Sequence, residues 1–233
     1  MDDISRRGFL LAGLGLLVSG CFEKRKDPFV LDEGPSTRTL TRYYPHSADE
    51  PAPSTRQTPS PSRAPGAPDV MPRSAWSSRQ PIVSRLNPMN GIRAITVHHE
   101  GMPRPTLCTA PRDVISELRM VQASHIERMS AGDIGYHFII DRSGRVWEGR
   151  PLSYQGAHVK DHNYHNIGVM VMGNFDIQFP TTEQKVSVDQ VVAWLMKRYG
   201  VPKQAVYTHR ELTSTACPGR HLQPHIDAFR RTV

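Results

Sequence analysis

The sequence predicts an α/β fold, a single domain over residues 70–233 with a central mixed β-sheet flanked by helices. Two observations lead to this prediction. Short apolar runs rich in β-branched residues alternate with longer segments of helical periodicity, which is the pattern of a layered α/β structure. Proline is over-represented in the 233-residue chain, with 20 residues, and six of these lie between Pro51 and Pro68. Such a composition cannot bury enough apolar surface to order itself, so we expect residues 22–69 to be a disordered linker in front of the domain.

The first half of the domain is predicted to contain a buried strand, a helix and a hairpin. Residues 93–99, with the sequence RAITVHH, are largely apolar or β-branched, which is typical of a buried strand. Apolar residues recur at helical spacing over residues 112–129, and Pro111 suits the first turn of that helix. Strand patterns at 136–140 and 145–148 flank the turn sequence DRSG, which predicts a hairpin.

The second half begins with a third internal strand over residues 167–172. Thr181 is followed three residues later by Gln184, a capping-box pair that opens a helix from about residue 182 to residue 199. Gly200 is suited to ending this helix. A short strand over 205–208 and a final short helix from Pro224 complete the mixed α/β layers.

Charge is distributed unevenly along the chain. Residues 1–69 contain nine basic and nine acidic side chains, whereas residues 70–233 contain 20 basic and 13 acidic ones, so the net charge of +7 belongs to the domain. A basic surface attracts polyanions such as nucleic acid, anionic lipid or cell-wall polymer. The domain has no helix-turn-helix, zinc-finger or aromatic RNA-binding signature, and we therefore expect no nucleic-acid partner.

The N-terminus has the features of a bacterial export signal. Arg6 and Arg7 precede an uncharged run of 13 residues, 8–20, which as a helix would reach about 20 Å against a bilayer core of about 30 Å. SRRGFL at 5–10 resembles the twin-arginine translocation motif, and VSGC at 18–21 resembles a lipobox in which Cys21 is acylated. The resemblance implies that residues 1–21 are a lipoprotein signal peptide. It further implies an exported protein that a lipid anchor on Cys21 holds to the membrane, at the periplasmic or outer face of the bacterial cell envelope.

Candidate metal ligands occur near the C-terminus, where His209 and Cys217 flank a loop that follows a predicted strand. Imidazole and thiolate are ligands that Zn²⁺ prefers, and a catalytic zinc site takes three protein ligands and keeps one position open. The third ligand must come from elsewhere, and His98 and His99 at the end of the first strand are the leading source. Side chains alternate along a strand, so only one of the two can face the metal, and the pattern leaves open which one.

Six short motifs then point to a known family. They are TVHH at 96–99, IGYHF at 134–138, WEGR at 147–150, GAH at 156–158, NIGV at 166–169, and the histidine at 209 with CPG at 217–219. In this order they resemble the type 2 N-acetylmuramoyl-L-alanine amidases, a group that includes the peptidoglycan recognition proteins. The resemblance covers residues 70–233. It implies an amidase-like α/β fold and hydrolysis of the amide bond between N-acetylmuramic acid and L-alanine, in peptidoglycan or muropeptides.

The resemblance also implies roles for individual residues. It implies that His98, His209 and Cys217 bind Zn²⁺. Tyr136 belongs to the GYHF block, and Thr215, two residues before the cysteine, follows the variant of the catalytic recognition proteins. Both would donate hydrogen bonds that stabilise the tetrahedral oxyanion. Tyr136, through the zinc-bound water, would also pass a proton to the leaving amine, and Glu100 is the alternative group for that transfer.

Two further residues match positions that line the family's groove, so we expect His158 and Asn166 to contact the muropeptide. Glu100 departs from the pattern, because many relatives have Ser or Thr after the histidine pair. Some family members recognise wall peptides but lack the ligand cysteine and do not hydrolyse them, so a non-catalytic peptidoglycan-binding module is the alternative function. Cys217 favours the enzyme. We expect the domain to act as a monomer.

Overall fold

The computed structural model describes residues 68–233. The predicted signal peptide with Cys21 lies outside the described residues, and so does the predicted linker except for Pro68 and Asp69. Both therefore stay predictions. Among residues 68–233, no helix has the length and apolar character needed to cross a membrane.

A six-stranded mixed sheet forms the centre of the domain, in the spatial order β1-β4-β3-β5-β2-β6. All neighbouring strands are parallel except the hairpin of β3 and β4, which is antiparallel. The predicted mixed sheet is confirmed. The short edge strand β1 was not predicted, because two residues are too few to show a period. The strands are β1 Val70–Met71, β2 Ala94–His99, β3 Phe138–Ile140, β4 Val146–Glu148, β5 Asn166–Val171 and β6 Val206–Thr208.

Within residues 68–233, four α-helices accompany the sheet, and the longest two follow the predicted ranges closely. The capping box at Thr181 and Gln184 is present with both of its hydrogen bonds, and Gly200 ends the helix in a left-handed conformation. The sequence pattern located this helix well because its start and stop signals are local. The helices are α1 Pro111–Arg128, α2 Thr182–Tyr199, α3 His209–Leu212 and α4 Gln223–Thr232.

The two faces of the sheet carry two apolar cores. One core joins α2 and α4 to Ile95 and Val97 of β2, and the other joins α1 to Tyr136, Ile139 and neighbouring side chains. Since side chains alternate along a strand, Thr96 and His98 of β2 face the α1 side. The ring of His98 accordingly lies beside that of Tyr136, with 5.2 Å between the centroids.

The topology also determines where polar groups meet. β2 and β6 are parallel neighbours, with Val97 opposite Thr208, so their carboxyl ends lie at the same edge of the sheet. His98 and His209 each stand one residue beyond this pair. In open α/β sheets, the carboxyl edge of the parallel strands is where binding sites form.

Candidate metal centre

Three predicted ligands come together at this edge. His98, His209 and Cys217 each offer a ligand atom, and these atoms all lie within 4.8 Å of one another. The side chains approach from two directions, because His98 lies near the end of β2 while His209 and Cys217 belong to the segment after β6. The three residues could hold a metal ion.

The segment from His209 to Cys217 is folded back on itself. The backbone N–H of Arg210 donates to the carbonyl oxygen of Cys217 at 2.9 Å, and the Arg210 guanidinium donates to the carbonyl oxygen of Ala216 at 2.6 Å. This fold-back brings the Cys217 thiol close to the start of α3, where His209 lies. Gly219 allows this return, because a Cβ there would lie 2.5 Å from the carbonyl carbon of Phe175.

The environment of the ligand atoms favours neutral imidazoles. Burial lowers the pKa of His98 well below 6.5, with further lowering by His158, His209 and His99. Burial also lowers the pKa of His209 to about 4, so both rings keep a free electron pair at neutral pH. Burial raises the pKa of the Cys217 thiol to about 12, although the backbone N–H of His99 donates to its sulfur at 3.4 Å. A thiolate at this depth needs a cation beside it.

His99, the alternative ligand, is not a member of this cluster. Its Nδ1 accepts a hydrogen bond from the backbone N–H of Phe175 at 3.2 Å, and the two rings lie 6.2 Å apart. The His98 ring therefore belongs to the candidate metal site, whereas the His99 ring binds the backbone of Phe175, and His99 lines the pocket next to the site. The sequence pattern allowed either residue. The structure selects His98, because its ring is the one that lies beside His209 and Cys217.

A pocket of about 230 Å³ opens beside the ligands and is lined by Glu100, Asp176, Thr215 and Cys217, among others. The hydroxyl oxygen of Thr215 accepts a hydrogen bond from the backbone N–H of Cys217 at 3.3 Å, which leaves the hydroxyl hydrogen available as a donor. The hydroxyl group is therefore in place to meet a group bound in the pocket.

Tyr136 lies on the inner side of the cluster and is 1% exposed. Burial raises the pKa of its hydroxyl well above 10, and the nearby Cys217 and Glu100 add to this rise. The hydroxyl therefore stays protonated at neutral pH and acts as a hydrogen-bond donor.

His158 and Asn166 are placed differently from what we expected of groove residues. They are only 6% and 2% exposed. Nδ1 of His158 lies 3.0 Å from Nε2 of His98, and the side-chain amide of Asn166 donates to Thr96 Oγ1 and to the carbonyl oxygen of His162. Both side chains thus form hydrogen bonds inside the site, and their contact with a muropeptide stays a prediction.

Glu100, the residue that departs from the family pattern, is buried with 1% exposure. Its Oε2 accepts hydrogen bonds from the backbone N–H of Gly173 at 3.0 Å and from the hydroxyl of Thr106 at 2.5 Å. It thereby ties the loop after β2 to the end of β5. Burial is the main cause that raises its pKa to about 7.

Comparisons with known proteins identify the family of this chain. The family model described as N-acetylmuramoyl-L-alanine amidase matches residues 88–220. A peptidoglycan-recognition protein of Drosophila simulans is 33% identical over 165 residues, which are 70% of this chain and 87% of that protein. The N-acetylmuramoyl-L-alanine amidase of Homo sapiens is 32% identical over 163 residues, which are 67% of this chain but only 27% of the human protein.

Solved structures show the same fold. Drosophila PGRP-LB in its wild-type form superposes with a TM-score of 0.62 and 25% identity, covering 68% of this chain and 92% of the other. A mutant of the same protein in complex with tracheal cytotoxin gives a TM-score of 0.61 at 25% identity, covering 68% of this chain and 93% of the other.

Proposed function

The chain belongs to the N-acetylmuramoyl-L-alanine amidase family, and from this premise we propose that it is a zinc-dependent hydrolase. Its substrate would be the amide bond between N-acetylmuramic acid and L-alanine, in peptidoglycan or in muropeptides. The observation that carries the proposal is the convergence of His98, His209 and Cys217, whose ligand atoms lie within 4.8 Å of one another. A module that only binds wall peptides has no need of a buried thiol between two imidazoles.

The donor set fits Zn²⁺ in chemistry and in spacing. Bonds of about 2.0–2.3 Å in a tetrahedron put neighbouring nitrogen and sulfur ligands about 3.5 Å apart. Nδ1 of His98 and Sγ of Cys217 lie 3.7 Å apart. When bound there, Zn²⁺ would lower the pKa of a water ligand to about 7 and polarise the carbonyl of the scissile amide.

The remaining chemistry is assigned to side chains of the chain itself. The protonated hydroxyl of Tyr136 and the hydroxyl of Thr215 donate hydrogen bonds to the oxygen on which negative charge develops. Each donor of this kind contributes about 2.7–4 kcal/mol to stabilising the transition state in comparable enzymes. As the amide bond breaks, the hydroxyl of the attacking water stays on the carbonyl carbon and the amine of L-alanine gains a proton. We assign this transfer to Tyr136 Oη, which gives its proton to the amine and regains one from the attacking water, so the hydroxyl ends the reaction protonated.

The substrate class is supported by a relative, since the structure of a mutant of Drosophila PGRP-LB has been solved in complex with tracheal cytotoxin. The basic domain also suits an anionic wall polymer. For the cellular setting we propose twin-arginine export through Arg6 and Arg7, and a lipid anchor on Cys21 that tethers a monomer at the cell envelope. The alternative function is a peptidoglycan-binding module without catalysis, as in the recognition proteins that lack the ligand cysteine.

Metal analysis of the purified chain together with digestion of purified peptidoglycan tests the proposal. We expect about one zinc per chain and release of peptides that begin with a free L-alanine amine, detected by mass spectrometry. Cys217→Ser should lose zinc and lower hydrolysis by at least about 10³-fold. Cys108→Ser, which changes a cysteine outside the cluster, is the matched control and should match the wild type.

Two outcomes would contradict the enzyme. A protein that binds peptidoglycan fragments tightly, holds no zinc and releases no peptides would be the binding module. Undiminished turnover in Cys217→Ser would remove the metal assignment.

A further inference from the structure

The ring of His158 occupies a slot that two glycines create. A Cβ on Gly168 would lie 2.5 Å from Cδ2 of His158, and the three nearest atoms that it would meet all belong to that ring. A Cβ on Gly156 would lie 2.2 Å from the same atom. Real Cβ atoms do not approach so closely, so these two positions admit only glycine while the ring stays in place.

The hydrogen bonds of this ring assign its protons. Nε2 of His158 lies 3.2 Å from the carbonyl oxygen of Asn166, which can only accept, so Nε2 carries the hydrogen. In a neutral imidazole the other nitrogen is then an acceptor. Nδ1 of His158 lies 3.0 Å from Nε2 of His98, and therefore Nε2 of His98 carries a hydrogen and donates it.

The same chain of hydrogen bonds determines which nitrogen of His98 carries the electron pair that can bind a metal. With the hydrogen on Nε2, the electron pair of His98 is on Nδ1, and Nδ1 is the nitrogen that lies 3.7 Å from Sγ of Cys217. The carbonyl of Asn166 at the start of β5 thus determines, through two rings, which nitrogen of His98 faces the candidate metal site.

We propose that His158 is a positioning residue that holds His98 in the Nε2–H tautomer and so presents Nδ1 of His98 to the metal. This inference rests on the proposed zinc site. Metal-bound histidines usually donate their second N–H to a carboxylate, a backbone carbonyl or water. Here the acceptor is a second histidine, His158, whose other ring nitrogen donates to the backbone carbonyl of Asn166.

His137 supplies a matched comparison inside the same layer. It is 1% exposed, and its ring lies 5.9 Å from that of His158. Its Nδ1 accepts from the backbone N–H of Gly168 at 2.9 Å, and its Nε2 lies 3.0 Å from the carbonyl oxygen of Tyr154. It resembles His158 in burial and in its backbone partners, but none of these bonds reaches a candidate ligand.

The first test measures zinc affinity by competition with a chromophoric chelator, starting from the zinc-loaded full chain. His158→Leu should weaken zinc binding about 10–100-fold, the usual loss when the partner of a ligating histidine is removed. His158→Asn should restore affinity to within a few-fold of the wild type, because its Oδ1 occupies the place of Nδ1 and can accept from His98. His137→Leu should leave the affinity unchanged.

A second variant covers the case in which His158→Leu does not fold. Gly168→Ala keeps every histidine but displaces the ring of His158, and it should also weaken zinc binding about 10-fold or more. Proton–nitrogen NMR of the imidazoles gives an independent readout. A slowly exchanging Nε2–H of His98 should be seen in the wild type and in His158→Asn, and it should be lost in His158→Leu and in Gly168→Ala.

The results separate this inference from the proposed function. A wild-type chain that binds no zinc would overturn both. A wild type that binds zinc, with equal affinity and an unchanged Nε2–H signal in His158→Leu or Gly168→Ala, would overturn the positioning role alone. Equal losses in His158→Asn and His158→Leu would also overturn it, because packing rather than the accepted hydrogen bond would then be the cause.

Discussion

The histidine cluster around His98 and the arginine–aspartate cluster around Asp133 are both buried in the α1 half of the domain, but they satisfy their polar groups differently. In the histidine cluster, neutral rings of His98, His137 and His158 are bonded to one another or to the backbone. In the other cluster, the carboxylate of Asp133 is 0% exposed and accepts from Arg73 at 2.9 Å and from Gln122 at 2.8 Å.

This difference distinguishes the cluster that could hold a metal ion from the one that could not. The Asp133 carboxylate is paired through Oδ1 with Arg73 and Gln122, while its buried Oδ2 has no hydrogen-bond partner among the described residues. These bonds join distant segments of the chain, so the Asp133 cluster has a structural role. In the histidine cluster, by contrast, His98 lies beside His209 and Cys217, and the ligand atoms of these three residues lie within 4.8 Å of one another. Donor atoms facing one another are stabilised only when a cation joins them.

Arg150 connects the two clusters. It is 3% exposed, and its guanidinium donates to the carbonyl oxygens of Ile134 and Asp133 at 2.8 and 2.9 Å. Burial lowers its pKa to about 10, so it stays charged at neutral pH. Its charge contributes to lowering the pKa of His137 and of His158. After burial, which is the main cause, the charge of Arg150 thus adds a smaller contribution that favours the neutral forms of His137 and His158.

The two clusters should differ most in how low pH affects the stability of the protein. Burial lowers the pKa of His137 to about 3 and that of His125 to about 4, against about 6.5 in an unfolded chain. The unfolded state binds more protons below pH 6.5, so stability is greatest above that pH and falls as the pH drops toward 3. Each histidine should cost about 3 kcal/mol between pH 7 and pH 4, measured by urea unfolding of the zinc-free protein.

A variant isolates this effect from other titrating groups. Between pH 7 and pH 4, His137→Gln should lose about 3 kcal/mol less unfolding free energy than the wild type, because it takes up about one proton fewer on unfolding. An identical pH dependence in the two proteins would contradict the buried neutral state of His137.

Removing the Tyr136 hydroxyl should affect catalysis far more than folding. Tyr136→Phe keeps the ring that packs 5.2 Å from His98 and loses only the donor. We expect kcat to fall about 10²–10³-fold with zinc content unchanged. Steady-state hydrolysis and metal analysis check this, and loss of zinc together with activity would contradict the assigned role.

Breaking the charged cluster should give the opposite pattern. Asp133→Ala leaves Arg73 without its partner, and because Arg73 is 14% exposed we expect a loss of about 3 kcal/mol in unfolding free energy. Zinc affinity of the folded protein should stay close to that of the wild type. Chemical unfolding and chelator competition measure the two quantities, and a large loss of affinity would show that the clusters are not separate.

Local signals account for what the sequence predicted well. The capping box of α2 and the strand over β2 were found because their signals lie within the elements themselves. The ligand set came from a resemblance, which also settled the choice between His98 and His99. The sequence pattern alone could not, because that choice depends on which helix covers which face of the sheet.

Long-range contacts explain what the sequence did not predict. His158 was expected in the groove, and nothing in the GAH motif tells how deeply its ring lies. The only signals were Gly156 beside it and Gly168 on β5, and their meaning appears once β5 packs against the ring. In the same way, Arg73 and Asp133 are separated by 60 residues, so no local pattern joins them.

The smallest effect should come from the edge of the charged cluster, and it tests whether the two clusters are independent. Ser77 donates to Gln122 Oε1 at 2.8 Å, and Gln122 in turn donates to Asp133, so Ser77→Ala should cost about 1 kcal/mol in unfolding free energy. Combined with Asp133→Ala, which already breaks the same network, the loss should be less than additive. Combined with His137→Gln it should be additive within about 0.5 kcal/mol, because the two residues share no hydrogen-bond partner. Urea unfolding of the single and double variants measures both couplings, and a strong coupling to His137 would mean that one polar network, rather than two, spans this half of the domain.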